Sequence, residues 1–218
     1  MLEAKRKPES TQPERRRGGL FPFLLLLAIA GALLLTQNYE TFFEREPGPT
    51  VFPLPERYSD SYANDWGVPR PQGPHEGTDV YAPEGTPIYS ITSGTITNAY
   101  GSNEGGWNTL GGYTVMVEAD RDSGPVRRGD RLYYAHMNAP TPLEDGTRVE
   151  AGDRIGTVGR TSGETEGTIA DFPPHLHLGW YGGMSIFGEE REYETAPSGS
   201  INPYPLLRRT ERQSAQAS

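Results

Sequence analysis

Between Asp65 and Leu207 no stretch sustains a helical repeat, while short runs of β-branched and aromatic residues recur between Gly, Pro, Asn and Asp clusters. The runs are Thr86–Ile91, Gly94–Thr97, Tyr113–Glu118, Arg131–His136, Arg154–Gly159 and Leu176–Tyr181. Tyr113–Glu118 alternates apolar and polar residues, as a strand with one face on a core does. The 27 glycines and 20 prolines suit tight turns rather than long helices. This pattern predicts a mostly β, antiparallel domain, and no repeat at solenoid spacing accompanies it.

Before it, Gly18 to Thr36 reads GGLFPFLLLLAIAGALLLT without a charge. That length spans a bilayer as one helix, and Pro22 is tolerable in a first turn. Arg15, Arg16 and Arg17 precede it, and no basic cluster follows. The positive-inside rule then leaves the N-terminus in the cytoplasm and the rest outside. A cleaved signal peptide is the competing assignment, but the small residues Ala28, Ala30 and Ala32 lie inside the apolar run rather than after it. The expected order is a basic cytoplasmic tail (1–17), a transmembrane helix (18–36), a proline-bearing extended linker (37–60), the β domain (61–207) and a polar, mobile tail (208–218). The expected location is the cell membrane, single-pass, with the β domain extracytoplasmic.

Net charge is −9, although residues 1–17 hold six Lys or Arg against three Glu, so the body is more acidic still. An acidic body excludes nucleic acid as the expected partner, because phosphate binding needs a basic face. Cysteine is absent, so any metal must be held by nitrogen and oxygen.

All four histidines fall in short motifs that suit a metal site: His75 and Asp79 in HEGTD, His136 in YYAH, His175 and His177 in HLH. On a strand His175 and His177 share a face, so one can bind metal while the other reaches a bound water, and Leu176 and Leu178 point to the opposite layer. HEGTD is not the helical HExxH motif, since Gly77 and Thr78 disfavour helix and the fifth residue is Asp79. In an extended segment His75 and Asp79 share a face, and Glu76 points away. Two histidines and one aspartate leave a fourth tetrahedral position for water, the layout of a catalytic zinc site. Zinc lowers the pKa of such a water to about 7. The two remaining histidines would move protons or steady a developing oxyanion.

The blocks HEGTDVYAPEGTPI, LYYAHM, VEAGDRIGTVGRT and PPHLHLGWY resemble, in order, those of the lysostaphin-like zinc metallopeptidases. The resemblance runs from about Trp66 to Leu207, with WGVPR before the first block and INPYPLL after the last. It implies the duplicated hybrid motif, with an antiparallel sheet groove. It implies zinc held by His75, Asp79 and His177, with His136 and His175 as the catalytic pair. It also implies endopeptidase action on peptide cross-links or bridges of bacterial peptidoglycan. One departure is visible: GRTSGETEGTIADFP before HLH is longer than the short glycine loop of the family, and would flank the groove. A non-catalytic relative that binds wall or activates an amidase is the alternative, and its mark would be missing ligands. Arg70 is expected to brace a turn, Tyr134 to pack or to face the groove beside His136, and Trp107 and Trp180 to line core or groove. The sequence leaves the oligomeric state open.

Overall fold

A computed structural model of the chain describes residues 46–99, 101–183 and 193–217, with side chains through Glu211. The basic tail, the apolar run 18–36 and the first part of the linker lie outside the described residues. Among the described residues no helix is long and apolar enough to cross a membrane.

Among the described residues eleven strands follow a 3-10 turn at Glu56–Tyr58: β1 (Pro69–Arg70), β2 (Gly73–Pro74), β3 (Thr78–Tyr81), β4 (Pro87–Tyr89), β5 (Gly94–Thr97), β6 (Trp107–Asn108), β7 (Gly112–Ala119), β8 (Arg131–Met137), β9 (Arg148–Val149), β10 (Arg154–Thr157) and β11 (His175–Tyr181). The main sheet runs β3-β11-β8-β7-β5-β9, with β6 paired to β7. β4 pairs with β10 and β1 with β2, and every strand pairing is antiparallel. The mostly β, antiparallel expectation therefore holds.

Alternation positions the core. Val115, Val117, Leu132, Tyr134, Leu176, Leu178 and Trp180 are all essentially inaccessible, sharing one cluster with Ile88, Ile96 and Ile155. Trp180 donates from Nε1 to Asp130 Oδ2 at 2.9 Å, which satisfies its one polar atom inside the core.

Two expected boundaries need correction. The unit begins at Glu46 rather than at residue 61. Phe52 and Leu54 of the expected linker are buried in the core, and the Val51 and Tyr89 amides exchange bonds with the carbonyls of Ile91 and Pro53. Apolar side chains among the prolines, with a strand to pair beside, outweigh the extended-linker composition. The segment set apart as a mobile tail from residue 208 is instead the continuation of a helix, α1 (Tyr204–Ala217). Asn202 caps it by accepting the Tyr204 amide at 3.0 Å, and Pro203 and Pro205 suit its start. Leu206, Leu207 and Thr210 are buried, so packing holds a helix whose polar composition alone would not.

Candidate metal centre

The centre begins as a strand register. On β11, His177 lies directly opposite Asp79 of β3 and Ala135 of β8. His175 and His177, two residues apart, both turn to the groove, while Leu176 and Leu178 fill the core. His75 precedes β3. It is fixed by its amide bonding to the Val68 carbonyl at 2.9 Å and by its carbonyl accepting from Gly67 at 2.7 Å.

Three ligand-type atoms converge there. His75 Nε2 lies 2.9 Å from His177 Nδ1 and 3.2 Å from Asp79 Oδ1, and His177 Nδ1 lies 3.1 Å from the same oxygen. A tetrahedral zinc with bonds of about 2.0–2.1 Å sets its ligands about 3.3–3.4 Å apart. The observed triangle needs to open by a few tenths of an ångström, so the donor set fits. His75 and Asp79 are nearly inaccessible, at 5% and 2% exposure. Buried groups of this kind need a compensating partner. Gly77 leaves room for the triangle, because a Cβ there would sit 2.5 Å from the His177 ring.

The electrostatics favour a cation. Burial opposes ionisation of Asp79, but hydrogen bonds from His177 and His75 outweigh it and hold the carboxyl far below the usual carboxylate range. Burial lowers His177. His75 would also be lowered by burial, but its bonds to Asp65 and Asp79 prevail and push it up to about 9 in the metal-free protein.

Beside the triangle stand His136 and His175, with ring centroids 4.8 Å apart. His136 Nδ1 is 2.9 Å from the Thr161 carbonyl, and His175 Nδ1 is 2.8 Å from the Pro173 carbonyl. A carbonyl only accepts, so each Nδ1 carries the proton and each Nε2 is left as the acceptor. His175 Nε2 is buried, 3.6 Å from Asp79 Oδ1, and makes no hydrogen bond. Phe172 packs on both rings, at 4.8 and 5.0 Å. Burial, with the neighbouring His177 and His175, pushes His136 down to about 3.

His136 occupies a bulge. Tyr113 opposes Met137 and Val115 opposes Tyr134, so β8 holds one residue more than β7 across this step. His136 takes the left-handed conformation at φ 60°, a strained position for a histidine. The bulge breaks the period of two. Tyr134 does not share the His136 face: it is fully buried and accepts the Ile91 amide at 3.0 Å. Tyr133 turns to the groove instead, its ring 5.9 Å from that of His177.

All five expected site residues are thus brought together. Glu76 stands aside, near Tyr181, whose hydroxyl is pushed up by burial and the Glu76 charge. Arg70 braces the Asp79 carboxylate itself rather than only a turn, with Nη2 at 2.8 Å from Oδ2. Sequence reasoning missed Asp65, Tyr133, Phe172 and the carbonyls of Thr161 and Pro173. The extra length of the loop before HLH was the one available signal, since Phe172, Thr161 and Pro173 all sit in it.

Comparison with known proteins places the chain among peptidases. The family model described as Peptidase family M23 matches residues 73–186. The L-Ala–D-Glu endopeptidase of Bacillus subtilis (strain 168) is 35% identical over 78% of this chain and 46% of its own length. Lysostaphin of Staphylococcus simulans is 34% identical over 49% of this chain and 18% of its own. A crystal structure from Ruminococcus gnavus ATCC 29149, described as a glycyl-glycine endopeptidase lytM, is 34% identical with a TM-score of 0.55, covering 75% of this chain and 61% of that one. The chain therefore spans less than half the length of these two curated relatives.

Proposed function

The chain belongs to peptidase family M23, and from that membership we propose that it is a membrane-anchored zinc endopeptidase hydrolysing peptide cross-links of peptidoglycan outside the cytoplasm. The observation that carries the proposal is the convergence of His75 Nε2, Asp79 Oδ1 and His177 Nδ1 within 3.2 Å, beside two histidines whose Nε2 atoms are free to accept protons. The family and the endopeptidase relatives support the substrate class. The uncharged run 18–36 behind three arginines supports the anchor and the side of the membrane.

His75, Asp79 and His177 would hold the zinc, which when bound acidifies a water to a pKa of about 7 and polarises a carbonyl. His136 and His175 do the proton work. As water attacks the scissile carbonyl, one Nε2 takes the proton that the water loses. That nitrogen then delivers it to the departing amine, so the ring ends neutral as it began. The Thr161 and Pro173 carbonyls behind the rings keep each Nε2 turned to the reacting atoms. The other imidazole would steady the oxygen on which charge develops once its Nε2 also carries a proton and can donate to it. Phe172 packs on both imidazoles, at 4.8 and 5.0 Å between ring centroids.

The test is digestion of purified sacculi with the full chain, with chelator and after zinc is restored, followed by mass analysis of released fragments. New amino and carboxyl ends that vanish with chelator and return with zinc are the expected result. A zinc-loaded protein that binds sacculi and releases nothing favours the non-catalytic wall-binding alternative.

A further inference from the structure

We infer that Asp65 and Arg70 form a positioning pair that sets the metal affinity of the centre, by locking His75 and Asp79 in the orientation a cation needs. The inference rests on the zinc assignment to His75, Asp79 and His177. Neither residue is one of the three ligands, and both touch ligands directly. The Asp65 carbonyl and its Oδ2 are each 3.1 Å from His75 Nδ1. Its Oδ1 accepts the backbone amide of Asp79 at 3.4 Å. Arg70 Nη2 donates to Asp65 Oδ2 at 3.1 Å and to Asp79 Oδ2 at 2.8 Å.

Each contact has a consequence at the centre. Asp65 keeps the proton on His75 Nδ1, which leaves the Nε2 lone pair facing Asp79 and His177. Ligating histidines are commonly fixed in this way, through a bond from the remote ring nitrogen. Arg70 occupies Oδ2 of Asp79 and so leaves Oδ1 alone for the histidine side, which stops the carboxylate from turning. A guanidinium so close to a ligand oxygen would by itself repel a divalent cation. The Asp65 carboxylate beside it offsets that charge. Arg70 Nη2 also lies 3.1 Å from His75 Nδ1, so both residues reach both ligands, and the pair works as a unit in which each charge compensates the other.

Local structure delivers both groups. β1 and β2 form a tight hairpin in which Arg70 opposes Gly73, at φ +125°. The loop carrying Asp65 is tied to β3 through the Tyr81 amide, which donates to the Ser61 carbonyl at 2.9 Å. Asp65 and Arg70 are themselves a quarter to a third exposed, so either can be changed without emptying the core.

The experiment measures zinc affinity of the full chain by competition with a chromophoric chelator, for the parent, Asp65→Asn, Arg70→Gln, their double variant, Arg70→Lys and His177→Ala. Cobalt spectra at saturation and unfolding of the metal-free forms are recorded alongside. Each of Asp65→Asn and Arg70→Gln should weaken zinc binding about 10–100-fold. The double variant should be no weaker than the worse single one, and Arg70→Lys should recover part of the loss. The cobalt bands of the saturated variants should shift, a change that lowered stability alone does not produce. Parental zinc affinity in both single variants, or unshifted cobalt bands with a loss that tracks metal-free unfolding, overturns the inference. If His177→Ala also keeps parental affinity, the zinc assignment itself has failed. If only His177→Ala loses zinc, the assignment stands and the positioning pair does not.

Discussion

Asp79 and His177 are direct cross-strand partners of β3 and β11, with Oδ1 and Nδ1 3.1 Å apart, although 98 positions separate them in the chain. Strand register alone therefore puts a carboxylate and an imidazole on one face at ligand distance. On the proposed assignment the four histidines divide into ligands, His75 and His177, and proton carriers, His136 and His175.

That division separates two losses. His177→Ala should abolish zinc retention, whereas His136→Ala should keep zinc and lower kcat by about 10²–10⁴-fold. Metal analysis after dialysis and initial rates on purified sacculi check both. Equal metal loss in the two variants would contradict the assigned roles.

Zinc bound as proposed would compete with a proton for His75. In the metal-free protein its pKa stands at about 9, against an ordinary 6.5. At pH 7 zinc must therefore displace a proton, and about one should be released per zinc bound, falling towards none above pH 9. A raised pKa adds stability that is complete below the unfolded value and is lost as pH rises through the folded one. The chelated protein should accordingly lose stability between about pH 6.5 and 9. Calorimetry in buffers of different ionisation heat and thermal melts of the chelated form measure these effects.

Acid should inactivate through the metal rather than through His136. Because His136 is pushed down to about 3, it stays neutral across the range from neutrality to about pH 4. Loss of turnover on acidification should then coincide with zinc release. Turnover undiminished at about pH 4 would count against a histidine-ligated centre.

Gly77→Ala should damage the centre without touching a ligand. Its Cβ would lie 2.5 Å from the His177 ring and 2.7 Å from the Leu178 carbonyl, and backbone does not yield cheaply. A destabilisation of about 1–3 kcal/mol with weakened zinc binding is expected. Chemical denaturation and chelator competition read the two effects.

Tyr134→Phe should cost stability and leave catalysis alone. Its hydroxyl is the acceptor for the buried Ile91 amide, and losing it strands that donor, at about 1–3 kcal/mol. Lowered unfolding free energy with unchanged kcat is the expected pairing. A fall in kcat would return Tyr134 to the groove.

By itself the order of residues determined the strands and the ligand types. The runs at 113–118, 131–136 and 176–181 alternate between turn residues, and a period of two puts His175 and His177 on one face whatever lies around them. His75 and Asp79 were read as one face of an extended segment, but β3 starts only at Thr78 and the chain bends at Gly77, so a turn rather than a strand period brings them together. What tertiary structure decided depends on a partner distant in the chain. The bulge that turns Tyr133 outward and buries Tyr134 comes from how β8 meets β7. Phe52, Leu54 and the helix Tyr204–Ala217 are held because a core lies beneath them, which local composition does not record. Asp65 and Arg70 are ordinary residue types until the hairpin folds them onto Asp79 and His75. The acceptors that fix His136 and His175 are backbone carbonyls, a group every residue carries, so only their placement in space gives them a role.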